Sequence, residues 1–95
     1  MRFIVNKKIY DTDKAELLCT FYKHCTVKTL LGATYPVRKT NLYKTAKGAY
    51  FLTSSINNAG YNYSIEVIDE EEAKNYLMHN GYNKYTELFG ELEEA

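Results

Sequence analysis

The sequence predicts an α+β domain, an antiparallel β-meander of four to five strands followed by two short C-terminal helices. Three observations predict it. Tyr61, Tyr63, Ile65 and Val67 alternate with Asn62, Ser64 and Glu66, the period of a half-buried strand. Asp69 with Glu72 three residues later is a capping-box pattern, and Glu70 and Glu71 fall at the positive end of the helix dipole. Ala46-Lys47-Gly48 sits between two strand-like segments as a hairpin loop. The 95 residues suffice for one core and are too few to divide, so 1–95 reads as a single domain.

Arg2 to Val5 reads as a short strand, with Asn6-Lys7-Lys8 turning back into Ile9 and Tyr10 as an N-terminal hairpin. Asp11, Thr12 and Asp13 are capable N-caps, so a short helical turn over Lys14 and Ala15 follows; a longer helix from Asp13 to Lys23 competes with it. A strand from about Leu17 to Val27 is favoured because Leu17, Cys19, Phe21, Cys25 and Val27 place apolar groups on one side, interrupted by Lys23. Leu30-Leu31-Gly32-Ala33 is a connection or turn. Pro36 restricts Tyr35, and strands over Arg38 to Thr45 and Ala49 to Ser55 flank the hairpin loop. Asn57-Asn58-Ala59-Gly60 carries turn chemistry ahead of the alternating strand.

The helix begun by Asp69 has Ala73, Tyr76 and Leu77 as its apolar stripe and ends near Asn80-Gly81. A second helix runs from about Asn83 to Phe89 and closes at Gly90. The tail from Glu91 to Ala95 is acidic.

Charge is split along the chain. Met1 to Ala49 holds ten basic residues against three acids, a balance of +7; from Tyr50 onward nine acids face two lysines, a balance of −7. The net charge of zero therefore hides two opposed fields, which points to a charged partner unless an acidic helix neutralises a basic sheet internally.

Little in the chain favours catalysis. His24 and Cys25 are neighbours on a strand and point to opposite faces, so no thiolate–imidazolium pair is expected. The C-x5-C spacing of Cys19 and Cys25 fits neither a zinc pair nor a redox motif, and they read as reduced thiols. No phosphate loop or dinucleotide fingerprint occurs, so no cofactor and no metal are expected. Asp69 to Glu72 are consecutive acids and lack the alternation of a calcium loop. The N-terminal apolar stretch is too short for a signal peptide, and no run approaches the roughly 20 residues of a membrane span. A cytoplasmic protein without a membrane partner is expected.

Two surfaces are candidates for binding. Tyr35, Arg38, Lys39, Tyr43, Lys44, Lys47 and Tyr50 interleave cations with rings, a pattern that can stack bases and neutralise phosphates, although a solvated sheet protected by lysines explains it more simply because acids elsewhere cancel the net charge. Glu70, Glu71 and Glu72 present carboxylates that suit a basic protein surface, although helix capping also explains them.

Three stretches carry a resemblance: Ile9 to Leu17, Leu42 to Leu52, and the ending Glu70-Glu71-Glu72-Ala73-Lys74 with Leu88-Phe89-Gly90-Glu91. They resemble a broad group of small, mostly uncharacterised Firmicutes proteins encoded on phages, plasmids and conjugative elements, over about half of the chain. The resemblance implies a setting, a mobile element in a host bacterial cell, rather than an activity, and it carries over no catalytic residues. This chain departs from the group's pattern from Thr53 to Tyr61, where a glycine-rich segment is usual. By analogy with anti-CRISPR proteins, the expectation is a non-enzymatic, stoichiometric inhibitor of a bacterial defence protein such as a CRISPR nuclease. The alternatives are a nucleic-acid-binding accessory protein using the basic tyrosine sheet, and a small self-assembling protein or homodimer.

Overall fold

Arg2–Val5 (β1) and Lys8–Asp11 (β2) pair antiparallel as a separate ribbon in the computed structural model of the protein, which describes residues 1–55 and 63–95. Asn6 and Lys7 turn it with φ of 50° and 65°. This left-handed pair has a twist that matches the flanking strands. A single turn follows, in which the Lys14 and Ala15 N–H groups donate to the Asp11 carbonyl and the Asp13 N–H donates to the Asp11 carboxylate at 2.9 Å. The competing helix from Asp13 to Lys23 does not form, because that segment is strand.

The main sheet contains Glu16–His24 (β3), Val37–Lys44 (β6), Tyr50–Ser55 (β7) and Tyr63–Ile68 (β8), antiparallel throughout and in that spatial order. Between β3 and β6 the chain makes a second ribbon, Val27–Thr29 (β4) with Gly32–Thr34 (β5). The expected strand from Leu17 to Val27 is thus divided at Cys25, whose N–H donates to the Pro36 carbonyl at 2.9 Å. Leu30-Leu31-Gly32-Ala33, expected as a connection or turn, is the turn of this ribbon and the start of β5. The expected turn at Asn57–Gly60 and the first residues of the strand begun at Tyr61 lie outside the described residues.

Simple alternation along β3 places Leu17, Cys19 and Phe21 together, and the structure corrects it. Leu17 pairs with Tyr43 and Cys19 with Leu42, so Leu18 is an extra residue in a β-bulge. The bulge shifts the parity of the strand. Leu18 and Phe21 are both buried, and Leu17 is exposed.

Glu70–Asn80 (α1) and Tyr82–Phe89 (α2) cover one face of the main sheet. The Asp69 carboxylate accepts the Glu72 N–H at 2.8 Å, which starts α1 as its sequence requires. Ala73 and Leu77 join Leu18, Leu42, Leu52, Ile68 and Tyr85 in one core, and Tyr76 stacks on Phe21 with centroids 4.8 Å apart. Gly81 ends α1 against β3, where an added Cβ would come within 3.1 Å of Cys19 Cβ. Its φ of −159° is open to any residue, so close packing is what favours glycine there.

Candidate binding surfaces

Because side chains alternate along a strand, the two faces of the main sheet separate the residues that sequence grouped together. On β6, Arg38, Thr40, Leu42 and Lys44 face the helices, and Lys39, Asn41 and Tyr43 face the opposite, outer side. Of the seven basic-tyrosine candidates, only Lys39 and Tyr43 share the outer face. Tyr35 stands exposed beyond the sheet, just before β6, and Lys47 is exposed in the β6–β7 loop. Tyr50 belongs to the core at 5% exposure, with Lys44 Nζ 5.9 Å from its ring centroid. The expected continuous strip of rings and cations is therefore broken.

Part of the outer face is closed by the N-terminal ribbon. Phe51 is fully buried there, stacked on Tyr43 with centroids 5.1 Å apart and met edge-on by Tyr10 at 5.4 Å. Burial raises the pKa of the Tyr43 hydroxyl, with Thr53 and Asn41 beside it acting the other way. Away from the ribbon, Tyr22 and Lys39 are exposed and Tyr63 is half-buried. Tyr22 pairs with Lys39, and Tyr63 pairs with Ser55 one step beyond the Thr40–Ser54 pair, so Tyr22, Lys39 and Tyr63 form a row across the sheet. Tyr22 is 71% exposed. Sequence reasoning did not single out Tyr22 and Tyr63 as binding residues; strand pairing between distant segments, β3 with β6 and β7 with β8, joins them to Lys39.

On the helix side, small residues leave a cleft next to β4. Thr40, Ser54 and Ser64 follow one another across β6, β7 and β8, with the Thr40 and Ser54 hydroxyls 2.8 Å apart. Lys23 and Glu66 project over them from the two edge strands and meet at 2.8 Å. Burial opposes the Lys23 charge, but the hydrogen bond and charge of Glu66 outweigh it and leave the pKa raised. The cleft measures about 360 Å³, with Lys23, His24, Cys25, Ser54 and Glu66 among its lining residues. His24 Nδ1 lies 3.2 Å from the Tyr35 carbonyl oxygen, and Cys25 Sγ lies 3.8 Å from that of Lys23. Cys19 and Cys25 are free thiols, and burial raises the Cys19 pKa, which favours its protonated form. Among the described residues, no three His, Cys, Asp or Glu side chains gather as a metal site.

The opposed charges remain largely separate in space. Among the described residues, the side-chain ion pairs are Lys23–Glu66, Lys74–Glu70, and Lys84 with Glu16 and Glu87. Only Lys23–Glu66 joins a base of the first half to an acid of the second. Glu70, Glu71 and Glu72 form the exposed first turn of α1, and among the described residues none of them forms an ion pair with a base of the sheet. Among the described residues, no helix is long and apolar enough to cross a membrane. No family model matches the chain, and no curated protein or solved structure matches it.

Proposed function

We propose that the protein is a non-enzymatic binding protein of a mobile genetic element and acts as a stoichiometric inhibitor of a host defence nuclease of the CRISPR-effector kind. The separation of charge is the observation in its favour. Glu71, Glu72, Glu91, Glu93 and Glu94 have no ion pair among the described residues and lie in exposed positions. Carboxylates held in this way complement the positively charged channel in which a nuclease holds nucleic acid. The test is target cleavage by a purified, guide-loaded CRISPR nuclease, with the wild-type protein and the triple variant Glu70→Lys, Glu71→Lys, Glu72→Lys. Wild type blocks cleavage and the variant loses at least tenfold in potency; equal potency removes the electrostatic reading.

A second reading is favoured by the row of exposed Tyr22 and Lys39 with half-buried Tyr63 on a sheet whose other face is covered by helices. Rings on such a platform stack bases at about 1–3 kcal/mol each. Fluorescence anisotropy with a single-stranded oligonucleotide tests it. Binding falls about tenfold or more in Tyr22→Ala and in Tyr63→Ala, and lack of wild-type binding at low salt removes this reading.

A further inference from the structure

We propose that the β4–β5 ribbon is an arm that docks on the surface of an anionic phospholipid bilayer, with Leu30 and Leu31 entering the boundary between headgroups and acyl chains. The proposal is independent of the nuclease reading. Nor does it conflict with the lack of a long apolar helix, because an interfacial contact needs no span.

The turn chemistry is the first reason. The turn needs a left-handed residue only at Gly32, so the backbone does not select Leu30 and Leu31, yet these two leucines stand fully exposed at 105% and 100% accessibility. Polar groups of the turn are already engaged with each other. Thr29 Oγ1 donates to the Gly32 carbonyl at 2.7 Å and accepts the Leu31 N–H at 3.3 Å. Gly32, at φ 123°, takes the left-handed conformation that a leucine would resist. The ribbon thus holds an apolar apex away from the core, to which neither leucine contributes.

Charge and reach select the occupant. No Asp or Glu occurs from Leu17 to Ile65. Lys28 sits two residues behind Leu30, roughly 7 Å along a strand, which is headgroup depth when the leucines reach the acyl boundary. Tyr35, 64% exposed, stands farther back as the kind of ring that favours a membrane interface. The acids of α1 follow Ile68, which pairs with Tyr50 opposite Lys44, at the end of the main sheet away from the arm. From Val37 to Lys44 is about 23 Å of strand, more than two screening lengths at physiological salt, so those carboxylates do not repel a surface met by the tip.

Duplex nucleic acid fits less well, because wedging a leucine into it requires unstacking that cations must offset. Lys23 is tied to Glu66, and Arg38 is engaged as well. A second copy fits less well too, since two leucines cover far less than the roughly 800 Å² per partner of a stable interface.

Vesicle flotation of the full chain tests the proposal, using phosphatidylcholine vesicles with and without about 30 mol % phosphatidylglycerol. The protein floats with the anionic vesicles and not with phosphatidylcholine alone. Leu30→Ser and Leu31→Ser each weaken partitioning roughly tenfold, and raising salt to about 0.5 M weakens it several-fold. Both positions are fully exposed, so the melting temperature of the double variant matches wild type and loss of flotation reports the tip. No flotation at millimolar lipid, or flotation unchanged in the double variant, overturns the proposal. So does a wild-type dimer, or a nucleic-acid complex, that the double variant abolishes, because the tip then serves that contact.

Discussion

Lys23 and Glu66 rise from the two edge strands of a four-stranded sheet and meet at 2.8 Å above Thr40, Ser54 and Ser64. Long side chains span two intervening strands here only because those strands present small residues beneath them. Both partners keep solvent contact, with 26% and 55% of their side-chain surfaces accessible, so the pair contributes modestly. A double-mutant cycle with Lys23→Ala and Glu66→Ala, read by urea denaturation, gives a coupling of about 0.5–1 kcal/mol. A coupling near zero would contradict a net stabilisation by this pair.

Tyr10 and Tyr22 are the same residue type in opposite situations. Tyr10 closes the outer face over Phe51, and Tyr10→Ala costs about 2–4 kcal/mol by leaving that ring wet. Tyr22→Ala, at an open position, stays within about 0.5 kcal/mol. Equal losses in the two variants, measured by chemical denaturation, would contradict the assignment of covered and open parts of this face.

Asp69 starts the first helix through one hydrogen bond to the Glu72 N–H. Asp69→Ala lowers stability by about 1 kcal/mol, and Asp69→Ser recovers most of it because a hydroxyl can accept the same bond. Circular dichroism melting curves of the three proteins check the ranking.

Alkaline pH weakens the fold. Burial raises the Cys19 pKa from 9.0 and is the main cause of the rise for Tyr43 and Tyr50 from 10.0, while Glu66 raises Lys23 and Glu16 with Glu87 raise Lys84 from 10.5. In every case the folded state holds the proton more tightly than the unfolded chain. This stabilisation is therefore complete below the unfolded values and is lost as pH rises through the folded ones. Melting temperature falls progressively from about pH 9 upward, and the fall is shallower in Tyr50→Phe. A melting temperature that is flat to pH 11 would contradict these shifts.

The α+β class, the N-terminal hairpin, the Asp69 cap and the close at Gly90 were legible in the sequence because each depends on neighbours a few residues apart. The grouping of Tyr35 to Tyr50 into one binding strip was not. It passes through β6 and into β7, so alternation sends Lys39 and Tyr43 to one face and Arg38 and Lys44 to the other, while Tyr50 enters the core. The bulge at Leu18 and the close approach of Gly81 to Cys19 also escaped notice, since both arise from pairing between distant segments. The acidic set Glu70 to Glu72 emerged together because one helical turn holds it.

The proposed inhibition works by occupancy, one copy of the protein per nuclease. It is tested most directly by titrating the wild-type protein into a guide-loaded CRISPR nuclease held well above the dissociation constant, with residual cleavage as the readout. Residual cleavage falls linearly to an end point at an equimolar ratio, with the mass of the nuclease unchanged. Complete inactivation at a small fraction of that ratio, a covalent change in the nuclease, or full cleavage at excess protein would contradict it.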